Sequence, residues 1–194
     1  MNKNFESVLP AGYREAYTVD AKDKKVVTLM NLVGVGIMAV IAAPLYFLIR
    51  PTDFLGHFSM ARNLIFIAAM LAYIVLHELT HGAAYKLLTG RKLTFGLTLT
   101  VAFCGVPEIY VYRRASLIAV LAPFAVFTVV FGAAAALLPT AWDRFYAALL
   151  LAIHAGGCVG DLWNTLLYLT RFRDPRTLTR DTGPVQTFYL PEDQ

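Results

Sequence analysis

Four long apolar stretches constrain this chain more than any other feature. They cover residues 27–49, 64–88, 116–138 and 145–170. A helix crosses a bilayer with about 20 apolar residues at about 1.5 Å each, so each stretch is long enough to be a span. No soluble core of 194 residues could bury so much apolar chain. The composition agrees: 58% of residues are hydrophobic and only 15% are charged, against about 25% charged in soluble domains. Intrinsic disorder, a disulfide scaffold (Cys104 and Cys158 are the only cysteines) and an ordinary cytosolic enzyme are excluded on these grounds.

The net charge of +4 suggests nucleic acid until the positions are examined. Lys3, Arg14, Lys22, Lys24 and Lys25 precede the first stretch. Lys86, Arg91, Lys92, Arg113 and Arg114 lie around the second connection, and Arg171, Arg173, Arg176 and Arg180 follow the fourth stretch. Only Arg50, Arg62 and Arg144 flank the other two connections. Basic and base-poor segments therefore alternate, as expected for a multi-pass plasma-membrane protein with both termini in the cytoplasm. The charge marks topology, and no nucleic-acid partner is expected.

The N-terminal residues lack the apolar core of a signal peptide, so the first span is expected to remain in place. The expected layout is a cytosolic segment over 1–26, a four-helix transmembrane domain over 27–170 and a cytosolic tail over 171–194. Pro, Asp and Thr in the two terminal segments read as turn formers. Pro44 and Pro123 fall inside spans one and three, where they kink a helix. Between spans two and three, Leu93-Thr94-Phe95-Gly96-Leu97-Thr98-Leu99-Thr100-Val101 alternates apolar with small or polar residues, which is the period of a strand. Cys104-Gly105-Val106-Pro107 reads as a turn and Ile109–Tyr112 as the returning strand, giving a hairpin over about 92–113. The predicted fold class is thus an all-α polytopic membrane protein, with four transmembrane helices and one small β-hairpin.

Span two ends in Leu76-His77-Glu78-Leu79-Thr80-His81-Gly82, an H-E-x-x-H pattern. Four helical residues turn through about 400°, so His77 and His81 stand one above the other on one face. That spacing suits one Zn²⁺, with Glu78 beside it as proton acceptor for a metal-activated water. Ionisable groups within an apolar span are costly and mark functional sites.

A catalytic zinc takes a third protein ligand, and span four offers His154, Cys158 and Asp161 at spacings that share a helical face. His77 lies nine residues before Lys86, and Asp161 ten before Arg171. Both therefore sit about 13–15 Å from the cytosolic flank, whereas His154 sits about 10 Å deeper. Asp161 is favoured as third ligand; His154, Cys158 and Glu108 stay open as alternatives. His154 could also contact a substrate carbonyl or oxyanion, or be a hydrogen-bonded core histidine. Gly156, Gly157 and Gly160 allow another helix to approach closely.

These features resemble the site-2 protease superfamily of intramembrane zinc metalloproteases. His-Glu-Leu-Thr-His-Gly, Ala122-Pro123-Phe124 and Gly160-Asp161 in a short four-span chain resemble more closely the bacterial family described as putative zincin peptidase. The resemblance covers about residues 25–170. It implies that His77, His81 and Asp161 bind zinc, that Glu78 is the catalytic base, and that the substrate is a membrane protein or peptide. The better-known site-2 proteases carry an Asn-Pro stretch ahead of the aspartate; here that region reads His154-Ala155-Gly156-Gly157, and His154 is the residue available to replace the asparagine. Two other functions compete with proteolysis: a non-catalytic zinc protein that binds or regulates a partner, and a small transporter with ionisable groups on an ion path.

Overall fold

The structure, a computed structural model, describes residues 3–51, 59–97 and 102–193. In chain order its elements are β1 (Phe5–Glu6), β2 (Tyr13–Asp20), α1 (Lys24–Ile49), α2 (Met60–Thr89), β3 (Thr94–Leu97), β4 (Ala102–Gly105), β5 (Tyr110–Tyr112), α3 (Arg113–Leu137), α4 (Ala141–Gly157), α5 (Val159–Thr170), β6 (Leu178–Asp181) and β7 (Val185–Pro191). Helices α1, α2 and α3 are each long and apolar enough to cross a membrane. Helices α4 and α5 reach that standard only together, as a bent pair. Leu29, Val40, Phe47, Ile65, Leu71 and Val129 remain exposed along α1, α2 and α3. A surface of that kind suits lipid and not water.

Helix dominates, yet the expected all-α fold is corrected by a sheet built from both terminal segments. Strands β1-β5-β6-β7-β2 form one five-stranded antiparallel sheet. Pairing of β2 with β7 runs from Tyr13↔Pro191 to Asp20↔Val185, with an irregularity between Glu15 and Tyr17. Of the Thr and Asp residues expected to make turns, Thr179, Asp181 and Thr187 instead lie within β6 and β7. Gly183, at φ +95°, supplies the tight turn between those two strands. The expected hairpin is also reassigned. β3 pairs with β4 in the register Thr94↔Gly105 to Leu97↔Ala102, whereas the strand expected to return, now β5, joins the larger sheet between β1 and β6. Residues 98–101 of the predicted strand lie outside the described residues.

The residues cluster into two units. The first comprises Met1–Leu29, His77–Pro123 and Asp161–Gln194. Its core joins Tyr85, Val106, Ile109, Val111, Ala115 and Ala119, while Phe172 and Phe188 stack at 4.5 Å over the sheet. The second comprises Met30–Leu76 and Phe124–Gly160. There, α4 begins at the N-cap Thr140, whose side chain accepts from the Asp143 amide. Gly34 and Gly156 bring α1 and α4 together: a Cβ on Gly34 would stand 2.6 Å from the Gly156 carbonyl oxygen.

Within the first unit the sheet is tied to α2 by a buried carboxylate. Asp181 accepts from Tyr85 Oη at 2.7 Å, the Gly183 amide at 2.8 Å and Gln186 Nε2 at 3.0 Å. Burial outweighs these donors and pushes its carboxyl from 3.8 up to about 6. A raised carboxyl pKa means that between about pH 4 and 6 the folded chain keeps a proton that the unfolded chain has lost. Stability from this group therefore falls as pH rises through that window, by on the order of 3 kcal/mol in all. Melting curves at about pH 4.5 and 6.5 should show this gain at the lower pH in the wild type, and Asp181→Asn should lack it. An identical pH response in both proteins would exclude the assignment.

Candidate metal centre

The site lies in the first unit and is built by two helices. On α2, His77 and His81 fall one turn apart, as the spacing requires, and their rings meet edge to face at 4.9 Å between centroids. Asp161 lies in the first turn of α5. Its Oδ2 stands 3.2 Å from His77 Nε2 and 3.4 Å from His81 Nε2. The three donor atoms lie within 4.8 Å of one another. Glu78 is half-buried on the same turn of α2, within electrostatic reach of His81, His77 and Asp161.

The other ring nitrogen of His81 fixes how that imidazole can act. His81 Nδ1 lies 2.9 Å from the Ala119 carbonyl oxygen on α3. A carbonyl only accepts, so Nδ1 carries the proton, and Nε2, which holds a lone pair whenever the ring is neutral, faces Asp161. A lone pair facing a carboxylate oxygen is repulsive unless a proton or a cation stands between them. Two ligands at about 2.05 Å from a tetrahedral zinc lie about 3.3 Å apart, and the two His–Asp distances bracket that value. Two imidazoles and one carboxylate thus fit zinc in donor type, in spacing and in the orientation of His81.

Gly82 follows the second histidine for a packing reason. A Cβ there would stand 2.6 Å from Phe95 Cζ and 3.2 Å from Leu93 Cδ1. The glycine therefore admits the side chains at the start of β3 against the helix turn that carries His81.

His154 and Cys158 belong to the second unit. Span four is interrupted at Cys158, where α4 gives way to α5. His154 is fully buried. Its Nδ1 meets Tyr73 Oη at 2.9 Å and Cys158 Sγ at 3.5 Å. Its Nε2 meets Thr128 Oγ1 at 3.2 Å and the Phe124 carbonyl at 3.3 Å. Tyr73, Phe124, Phe127 and Phe131 surround the ring with centroids 5.5–6.0 Å away. This setting matches the hydrogen-bonded core histidine. Glu108 stands exposed in the turn before β5. The role of Ala119 was not read from the sequence, because a main-chain carbonyl leaves no residue signature of its own.

Two imidazoles on an H-E-x-x-H helix with a carboxylate from a second helix define the donor set of a zincin-type metal centre. The family model described as "Putative zincin peptidase" matches residues 70–174, more than half of the chain and all of the site. The chain belongs to that family. No curated protein and no solved structure matches it significantly.

Proposed function

We propose that this protein is a membrane-embedded zinc peptidase in which His77, His81 and Asp161 hold the metal and Glu78 is the base. The observation that carries the proposal is the convergence of both Nε2 atoms on one Asp161 oxygen, with His81 locked by Ala119 in the tautomer a metal requires. Zinc, when bound, supplies Lewis-acid activation of water and of the scissile carbonyl. Glu78 takes the proton from the attacking water and passes it to the leaving amine, which needs a carboxylate beside the two histidines but outside the ligand set. Asp161 adds the negative charge that two neutral imidazoles lack, and Ala119 keeps one of those imidazoles oriented.

The substrate is a membrane protein or a membrane-proximal peptide. Its peptide bonds must leave any helix before hydrolysis, because a helix hides its carbonyls in internal hydrogen bonds. Among the described residues β3 pairs only with β4. Its other edge offers main-chain groups for strand addition, and the Phe95 side chain of β3 reaches Gly82, next to His81. The plasma membrane, with both termini cytoplasmic, is the location that the charge pattern supports.

Purified full-length protein with a single-span model substrate tests the reading. Cleavage should stop on adding a zinc chelator and return with added zinc, and His77→Ala should be inactive and zinc-poor. Protein that holds no zinc, or that cleaves equally in chelator, would overturn the proposal. Protein that holds one zinc and cleaves no membrane substrate would favour the non-catalytic partner-binding function.

A further inference from the structure

The carbonyl that orients His81 is not an arbitrary one. Within α3, each carbonyl is normally taken by the amide four residues on. Ala119 stands four residues before Pro123, and Pro123 is the proline inside α3. Proline has no N–H, and its ring pushes the carbonyl of residue i−4 away from the helix axis. Among the twenty-five residues of α3, His81 Nδ1 thus meets the one whose carbonyl the proline releases. Ala119 and Pro123 are both fully buried, so water is not at hand to serve that carbonyl instead.

We infer that Pro123 is a positioning residue for the metal centre: by denying the Ala119 carbonyl its helical donor, it commits that carbonyl to His81 Nδ1–H and holds His81 with Nε2 free for the metal. The inference rests on the reading of His81 as a ligand. It gives this buried proline, which touches neither metal nor substrate, a definite task. The bond selects the Nδ1–H tautomer over the Nε2–H tautomer that would present a proton to the metal. It also fixes the ring against rotation about its own side chain.

The decisive comparison at position 123 is between alanine and lactic acid, introduced by nonsense suppression in the full-length protein. The two have the same methyl side chain, but alanine restores an N–H at 123 and the ester oxygen of lactic acid does not; the ester also weakens the Ala122 carbonyl as an acceptor, which leaves the Ala119 carbonyl untouched. The first readout is zinc affinity, measured by competition with a chromogenic chelator. Pro123→Ala should bind zinc about 10-fold or more weakly, within the range found when an outer partner of a metal-bound histidine is removed. The lactic acid variant should stay near the wild-type value. Pro44→Ala, which restores an N–H in α1 in the same way, should leave zinc affinity unchanged.

The second readout needs neither metal nor activity. In metal-free wild-type protein labelled with ¹⁵N-histidine, held at a pH where the ring is neutral and with the His81 signals assigned by their loss in His81→Gln, the ring should be the Nδ1–H tautomer. In Pro123→Ala the Nε2–H form should gain population. Equal weakening in the alanine and lactic acid variants would assign the effect to the proline ring and overturn the inference. So would unchanged affinity in both, an equal loss in Pro44→Ala, or an Nε2–H His81 in the wild type. That last result decides the matter even where Pro123→Ala does not fold. Wild-type protein that binds no zinc at all would instead refute the proposed metal centre, and the two failures are therefore distinguishable.

Discussion

Glu78→Gln should keep one zinc per chain and lose roughly 10²–10⁴-fold in cleavage rate, the usual contribution of a positioned acid–base group. The reasoning is geometric first. His77 and His81 use the face of α2 that turns towards Asp161, and Glu78 follows His77 by one residue, about 100° around the helix. A carboxylate at that angle flanks the metal ligands without joining them. Glutamine has the same shape and keeps an oxygen able to accept a hydrogen bond from water, so packing and the zinc site are preserved. It cannot hold the transferred proton. Metal analysis and cleavage of the same preparation check the prediction together. Cleavage at the wild-type rate would remove Glu78 from the role of base. Loss of zinc together with activity would instead make Glu78 part of the ligand set.

The parts of this protein legible in the sequence are those set by short-range pattern. The apolar stretches reappear as α1, α2, α3 and the α4–α5 pair, because length and hydropathy suffice to specify a helix able to cross a membrane. The histidine pair is legible for the same reason: both residues lie on one helix, and helical geometry fixes their relation. Asp161 could be placed only by comparing positions along two separate helices, a comparison the break at Cys158 did not disturb, since Asp161 is counted from Arg171, on the C-terminal side of that break. His154 is counted from the other side.

The sheet was missed because its pairings are long-range. Phe5 opposes Val111, and Tyr13 opposes Pro191; nothing local in Tyr13–Asp20 or Val185–Pro191 names the partner. Alternation was visible in the Leu93–Val101 segment, where no polar turn formers interrupt it. In the tail Thr182, Gly183 and Pro184 do make the turn of a hairpin, but no alternation in Leu178–Asp181 or Val185–Pro191 marks the two strands it joins. Ala119 shows a different limit. Its contribution comes from a carbonyl, and the visible sign of it is Pro123, whose place inside a helix is legible in the sequence while the acceptor it releases is not.

Asp161→Ala should weaken zinc binding by more than the about 10–100-fold typical of a lost supporting group, because it removes a ligand outright. The carboxylate is the one anion in the proposed donor set, so the substitution removes a bond and a full negative charge from a partly desolvated site, where charge interactions are stronger than in water. Asp161→Asn separates the two contributions. Asparagine retains an oxygen at nearly the same position and gives up the charge, so its affinity should fall between those of aspartate and alanine. The competing reading has Asp161 only as a hydrogen-bond acceptor for His77 and His81. On that reading the substitutions free both imidazoles, and zinc binding stays the same or strengthens. Competition titrations on the three proteins therefore give opposite orders of affinity. Wild type above Asn above Ala supports the ligand; alanine equal to or above wild type excludes it. The 3.2 and 3.4 Å separations from one Oδ2 to two Nε2 atoms suit a shared cation, and His81 has already committed its Nδ1 proton to Ala119. Donating to Asp161 as well would require His81 to be a full imidazolium.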